Sequence, residues 1–181
     1  MSIKIILTGS SGYIASCFNS LYHNKYTIYC LDKTKPKFFN KIKKKKFIKC
    51  NLLDQKKLKK IFKKIQPDLV IHLAAQSTVN EKIKWIDYYK NNVRATKNVL
   101  NVMKIFKIKK LIFSSTASVY KEKKTKISEN DKLKPNSKYG KSKLIAENFI
   151  KKNKNINFII LRFFNVCSAL RKPVIGEFHD P

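Results

Sequence analysis

The chain has 181 residues, 43% of them hydrophobic and 12% aromatic, a composition that excludes a disordered segment and fits one folded domain. Its formal net charge is +30, from 41 Lys and Arg against 11 Asp and Glu. No apolar run approaches the ~20 residues of a membrane span, and the N-terminus lacks the shape of a signal peptide.

The first predicted strand, 3–7, runs straight into Thr8-Gly9-Ser10-Ser11-Gly12-Tyr13-Ile14-Ala15, which holds two of the four glycines in the chain. Glycine allows a sharp turn and a close backbone approach, and the helix expected over 12–23 offers N–H groups and a positive dipole end. A dinucleotide pyrophosphate needs that geometry, so Gly9, Ser11, Gly12, Tyr13 and Ile14 are candidate cofactor ligands. A second strand, 27–31, leads to Asp32, 20 residues after Gly12. A carboxylate there can accept from ribose hydroxyls and repels a 2′-phosphate, which favours NAD over NADP; Lys33 next to it opposes that preference. Taken alone, Asp32 is equally a turn residue at a strand end.

The run Lys43-Lys44-Lys45-Lys46 precedes a strand at 46–49 and reads as a solvated loop. Only three basic residues are Arg (Arg94, Arg162, Arg171), and the chain is rich in Ile, Asn and Phe, the residues of A/T-rich codons. Surfaces that bind nucleic acid lean on Arg for bidentate contacts. A coding bias therefore explains the charge, and nucleic acid is not the expected partner. The helix 54–65 starts at Asp54, a good N-cap, and stops before Pro67.

A strand at 69–73 carries His72. With no second His or Cys near it, His72 is expected to be structural. The helix 88–106 follows; Trp85, Tyr88 and Tyr89 around its start are expected to pack. The scattered Cys17, Cys30, Cys50 and Cys167 read as reduced thiols of a cytoplasmic protein, not as a metal site or disulfide framework. A strand at 110–114 ends in three hydroxyls, Ser114, Ser115 and Thr116. The helix 137–152 and a strand at 157–162 complete the pattern. Short apolar strands alternating with amphipathic helices specify a doubly wound, Rossmann-like parallel sheet with helices on both faces, one domain over 1–181.

Tyr-x-x-x-Lys occurs three times: Tyr29/Lys33, Tyr120/Lys124 and Tyr139/Lys143. Residues four apart share a face on a helix but not on a strand. Tyr29 lies in a strand and Tyr120 in a Lys-rich loop, whereas Tyr139 follows Pro135-Asn136-Ser137, a good helix start. A tyrosine acts as general base when its pKa falls from ~10 toward neutrality, about 4 kcal/mol of preferential phenolate stabilisation. Lys143 and the positive charge of an oxidised nicotinamide are the expected source. Thr116, at the C-terminal end of a parallel strand, faces the ligand crevice beside Tyr139.

Together with Asp32, His72-Leu73-Ala74-Ala75, Asn91-Asn92-Val93, Ser114 to Tyr120, Tyr139-Gly140-Lys141-Ser142-Lys143 and Leu161-Arg162-Phe163-Phe164-Asn165, the glycine turn resembles the extended short-chain dehydrogenase/reductase family, within it the sugar-nucleotide 4-epimerases, from Ile3 to Pro181. The resemblance implies NAD as cofactor and epimerisation at C4 of a UDP-hexose, the UDP-glucose/UDP-galactose pair, in galactose metabolism. It makes Tyr139 the base, Lys143 the nicotinamide ribose ligand, and Thr116 and Asn165 substrate contacts. It adds Leu52, Leu73, Ala74, Ala75, Asn92 and Ser114 to the cofactor contacts, and implies a homodimer for the full-length form. Asn92 and Asn165 are alternatively caps of a helix or turn. Sugar-nucleotide 4,6-dehydratases usually carry Asp-Glu where this chain has Ala117-Ser118, which have no acid or base. Gln76-Ser77 lean toward the dehydratases, and Lys121 and Phe163 depart from the epimerases, so another NAD-dependent sugar-nucleotide epimerase, reductase or dehydratase stays open. So does a non-catalytic nucleotide- or nucleic-acid-binding module. Family members are close to twice this length, so the chain is expected to be their cofactor half, with an incomplete substrate pocket.

Overall fold

The computed structural model describes residues 2–35, 46–166, 170–171 and 174–175. Six parallel strands form one sheet in the order β3-β2-β1-β4-β5-β6. They are β1 (Lys4–Thr8), β2 (Thr27–Asp32), β3 (Lys46–Lys49), β4 (Leu69–His72), β5 (Lys110–Thr116) and β6 (Asn157–Phe163). The chain reverses direction across the sheet between β1 and β4, the topological switch point where open α/β sheets bind ligands. A short antiparallel pair, β7 (Leu170–Arg171) and β8 (Val174–Ile175), lies apart. Lys43 to Lys45 and Cys167 lie outside the described residues.

Helices cover both faces. On one, Leu58, Ile61, Phe62 and Ile65 of α2 (Gln55–Ile65) pack with α4 (Ala95–Ile105) and with Ala146 and Ile150 of α5 (Lys138–Lys151) over Ile6, Leu31, Val70 and Leu111. Each fully buried side chain of that size contributes about 1.5–3 kcal/mol. On the other, Ala15 and Phe18 of α1 (Tyr13–Tyr22) cover Ile5, Leu7, Ile28 and Ile71. Alternate residues of β1 thus face opposite layers, and both layers are apolar.

The predicted elements match within one residue except at two places. β5 runs on to Thr116, because Ser115 and Thr116 pair with Arg162 and Phe163 of β6. The helix expected from 88 begins at Trp85 as α3 (Trp85–Tyr88), passes through a π-helical turn over Tyr89–Arg94 and continues as α4. Asp54 caps α2 as expected, accepting from the Lys57 N–H at 2.9 Å, and Gln66 closes that helix at φ 47. Among the described residues β6 has one strand neighbour, and Phe158, Ile159 and Leu161 on it are exposed. No helix among the described residues is long and apolar enough to cross a membrane, and no group of three His, Cys, Asp or Glu there could hold a metal.

Candidate active site

Strand β1 ends at the glycine turn, which lies directly on the segment leaving β4. The Leu73 N–H donates to the Thr8 carbonyl oxygen at 3.2 Å, and the Gly12 N–H closes the turn on the Gly9 carbonyl oxygen at 3.0 Å. Gly9 has φ 70, a left-handed conformation that favours glycine. Helix α1 starts at Gly12 without a side-chain cap and with no acidic residue in its first turn. The positive end of its dipole is therefore uncompensated by its own first turn. Asp32 ties this turn to the loop after β2. One carboxylate oxygen accepts from the Ser11 N–H at 3.0 Å, the other from the Thr34 N–H at 3.1 Å, and the Ser11 hydroxyl donates to the Thr34 carbonyl oxygen at 2.5 Å.

Behind the turn, His72 is fully buried, with both ring nitrogens engaged. Thr96 spends its hydroxyl proton on the Asn92 carbonyl oxygen at 2.6 Å, so it accepts from His72 Nε2–H at 3.0 Å. Nδ1 then accepts from the Thr8 hydroxyl at 2.6 Å. Burial pushes the imidazole down to about 3, so it is neutral. The structural role expected of His72 is the one its surroundings define.

Asn92 continues this chain. Its side chain accepts from the Gln76 N–H at 2.7 Å and donates to the Gln76 carbonyl oxygen at 3.1 Å and to Ser142 Oγ at 2.8 Å. The π-helical turn directs it inward, where it clasps the segment after β4 against α5. It is buried there, not on the cleft wall. Tyr88, one turn earlier, is also buried and donates to the Thr78 carbonyl oxygen at 2.7 Å.

Helix α5 is capped by Ser137, whose hydroxyl oxygen accepts from the Gly140 N–H at 2.9 Å. Gly140 is a close approach: an added Cβ would strike the Ser118 carbonyl oxygen. This fit seats α5 against the 3₁₀ turn Ala117–Val119 and brings Tyr139 to Thr116, with which it hydrogen-bonds. Lys143 is buried, its Nζ donating to the Ser114 carbonyl oxygen at 2.6 Å and lying 4.7 Å from the centre of the Phe113 ring. Burial pushes its ammonium down to about 7, against an upward pull from Glu147.

The expected fall in the Tyr139 pKa is not what these residues produce. Burial raises it, the Thr116 hydrogen bond lowers it, and Tyr88 raises it again; the net shift is upward. The physical reason is burial of the phenol, and Lys143, itself pushed down to about 7, has lost its proton where a raised phenol titrates. The positive charge needed to lower Tyr139 has to come from outside the described residues.

An open cleft of about 1460 Å³ joins the two halves of the site. Gly9, Ser11, Gly12, Tyr13 and Ile14 line one end; Ser114, Thr116, Tyr139 and Lys143 line the other. Leu73 and Ala75 lie between them, and Asn165 borders it with Phe163 and Phe164. Asp32 acts on the cleft through Ser11 and Thr34. Ala74 packs against the core and donates its N–H to Thr8 Oγ1 at 3.4 Å. Leu52 is in the main core, its carbonyl oxygen accepting from Asn98 at 2.9 Å, and not on the cleft wall.

Glu147 and Arg162 were missed as a pair. Glu147 is fully buried on α5, and Arg162 of β6 grips both its oxygens, at 3.0 and 2.8 Å, while donating to the Tyr120 hydroxyl at 2.8 Å. The available signal was spacing: Glu147 follows Lys143 by four residues and Tyr139 by eight.

The sequence profile of the NAD dependent epimerase/dehydratase family matches residues 5–176. A UDP-glucose 4-epimerase of Halalkalibacterium halodurans is 34% identical over 185 residues, covering 99% of this chain and 55% of that protein. The chain spans about half the length of the curated relatives it matches. Among solved structures, the UDP-glucose 4-epimerase of Brucella ovis in complex with NAD superposes with a TM-score of 0.90 at 29% identity, covering 99% of this chain and 57% of that one. That of Bifidobacterium longum in complex with NAD+ and UDP gives 0.89 at 30% identity, covering 96% and 57%.

Proposed function

The chain belongs to the NAD dependent epimerase/dehydratase family, and from that premise we propose that it is the cofactor-binding part of an NAD-dependent 4-epimerase of UDP-hexoses. The observation that carries this reading is one cleft with the glycine turn at one end and Thr116, Tyr139 and Lys143 at the other. The residues fit a dinucleotide. Around Gly12 a Cβ would meet only the Gly9 carbonyl oxygen, at 3.2 Å, so a phosphate can approach the start of α1. The carboxylate of Asp32 stands at the end of β2, where ribose hydroxyls would reach it.

Bound NAD would supply the hydride acceptor and a positive charge beside the phenol. Tyr139 Oη takes the proton of the sugar 4-hydroxyl and returns it, as reversible chemistry at C4 requires. Thr116 positions the 4-oxygen beside Tyr139, and its single hydroxyl proton goes to the tyrosine oxygen as charge develops on it. Lys143 Nζ holds the nicotinamide ribose. Leu73 and Ala75 form the floor between the two ends, and Asn165 contacts the nucleotide-sugar. Ala117 and Ser118 offer no acid or base for an elimination, which speaks for epimerisation over 4,6-dehydration. The reading includes a UDP-sugar as small-molecule partner and a homodimer, the latter resting on the family resemblance alone.

The test is product analysis with UDP-galactose, on the whole translation product that contains these residues. The expected result is UDP-glucose formation that Tyr139→Phe abolishes while NAD binding, read by calorimetry, stays within a few-fold. Undiminished turnover in Tyr139→Phe refutes its role as base. Gln76-Ser77 and Phe163 favour a second reading, a different sugar nucleotide; conversion of such a substrate with none of UDP-galactose selects it.

A further inference from the structure

Three successive residues of β5 meet three residues of α5 spaced by four. The Thr116 hydroxyl hydrogen-bonds Tyr139, the Ser114 carbonyl oxygen accepts from Lys143, and the Ser115 hydroxyl donates to Glu147 Oε1 at 2.5 Å. Residues four apart stack on one helix face, so Tyr139, Lys143 and Glu147 form one stripe facing the strand. The proposed reaction uses the first two members and gives the third no task. Yet Glu147 is a fully buried carboxylate in a chain with only 11 acidic residues. Taking such a group out of water is costly unless every lone pair is matched, and here Ser115 and the Arg162 fork match them.

We propose that Glu147 is a positioning residue: its buried carboxylate, held by Ser115 and Arg162, sets a negative charge one helical turn from Lys143 and locks α5 on β5 in the register that brings Lys143 and Tyr139 to the strand end. The groups facing Lys143 are Glu147 and Tyr139 on α5, neutral His72 on β4, and Phe113 with the Ser114 carbonyl on β5. Tyr88 of α3 faces Tyr139. Glu147 is faced by Arg162 of β6, with Tyr120 beyond it, and by Lys151 at 3.4 Å on its own helix. Among the described residues, Glu147 is the anion that acts on Lys143. Burial opposes the charge on Glu147, but the Arg162 and Ser115 hydrogen bonds prevail and hold its carboxyl below the ordinary range. Burial already brings Lys143 down to about 7, where ammonium and amine are both populated, so losing the carboxylate tips the balance toward the amine. The inference rests on the proposed cofactor reading in one respect, since that reading gives the ammonium its task; its test needs no cofactor.

The test reads Lys143 directly, by NMR of the chain labelled with ¹³C-lysine. The Phe113 ring current sets the Lys143 signal apart, and Lys143→Met assigns it by its loss. In the wild type the signal titrates near pH 7. In Glu147→Gln the midpoint moves down by about one unit, the shift expected when an opposite charge one helical turn away is removed. Glu147→Asp keeps the charge and restores most of the midpoint. An unmoved midpoint in Glu147→Gln overturns the proposal. If Glu147→Gln leaves Arg162 too exposed to fold, Glu147→Gln with Arg162→Gln removes both charges; a downward shift is expected there too, and a zero or upward one overturns it. NAD is titrated in parallel. A shifted Lys143 in a chain that binds no NAD overturns the cofactor reading and upholds the electrostatic role of Glu147. NAD binding with an unmoved Lys143 overturns this inference alone.

Discussion

Replacing Gly9 with alanine puts a methyl group where the chain has no room for one. The added Cβ would lie 2.5 Å from the Ala74 nitrogen, 2.6 Å from its Cα and 2.8 Å from the Leu73 carbonyl carbon. All three are backbone atoms of the segment that continues β4, and the Leu73 N–H is bonded to the Thr8 carbonyl oxygen. They cannot rotate away as a side chain would. The left-handed φ costs an L-residue about 1–2 kcal/mol, and overpacking against a fixed neighbour about 1–3 kcal/mol. A loss of about 3–4 kcal/mol is expected, a large share of the ~5–15 kcal/mol that holds a domain folded. At this chain length it lowers the Tm by roughly 10 °C. Gly12→Ala is the matched control. Gly12 has an ordinary φ of −74°, and its Cβ would meet only the Gly9 carbonyl oxygen at 3.2 Å. It is expected to leave the Tm within a few degrees and to weaken NAD binding, because its methyl occupies the approach to α1. Thermal melts and NAD titrations of both variants separate the two effects. A Tm for Gly9→Ala equal to that of Gly12→Ala refutes the reasoning.

Lys143 is held near 7 when folded and returns to ~10.4 when unfolded, so the folded chain resists its charge. That deficit is complete below pH 7 and disappears as pH rises from about 7 to 10.4. Lys143→Met should therefore be more stable at pH 6, by on the order of 3–5 kcal/mol, with the gap closing toward pH 10 in urea melts; a gap independent of pH contradicts this. His72, held near 3 against ~6.5 unfolded, contributes stability that is present above pH 6.5 and is lost as pH falls from 6.5 to about 3. His72→Gln should flatten that acid limb, and an identical limb in both chains rules His72 out as its source. Asp32→Ala removes the hydrogen bonds that order Ser11 and Thr34 and, on the proposed reading, the ribose acceptor with them. Charge-assisted bonds of about 1.5–3 kcal/mol make the NAD affinity fall roughly ten- to a hundredfold in calorimetry; a change under twofold excludes Asp32 from the site.

Strand and helix positions were legible because their signals are local. An apolar run of four or five residues, a cap such as Asp54 and a following proline act within one element. The start of α3 was not legible: Lys84 makes no side-chain cap, and the π-helical turn breaks the 3.6-residue period that reveals a helix. The apolar run that marks β5 ends before the hydroxyls at its end, and pairing with β6 carries the strand on through Ser115 and Thr116. In the site, Tyr139, Lys143 and Thr116 could be read because helix spacing and a strand end constrain where side chains point. Asn92 and Leu52 were carried to the cofactor by resemblance, while packing takes both inside. Glu147 went unread because its partner Arg162 is brought to it only by the β5–β6 pairing.

The β6 edge that no described strand covers and the lysine excess bear together on how copies of this chain would meet. Among the described residues β6 pairs with β5 alone, and a strand edge carrying exposed Phe158, Ile159 and Leu161 is a template for pairing between molecules. A net charge of +30 keeps those molecules apart, but only over the Debye length, ~10 Å at 0.1 M salt and ~3 Å at 1 M. On this argument the lysine charge opposes edge-to-edge association, and light scattering across a salt series is expected to show association rising with salt.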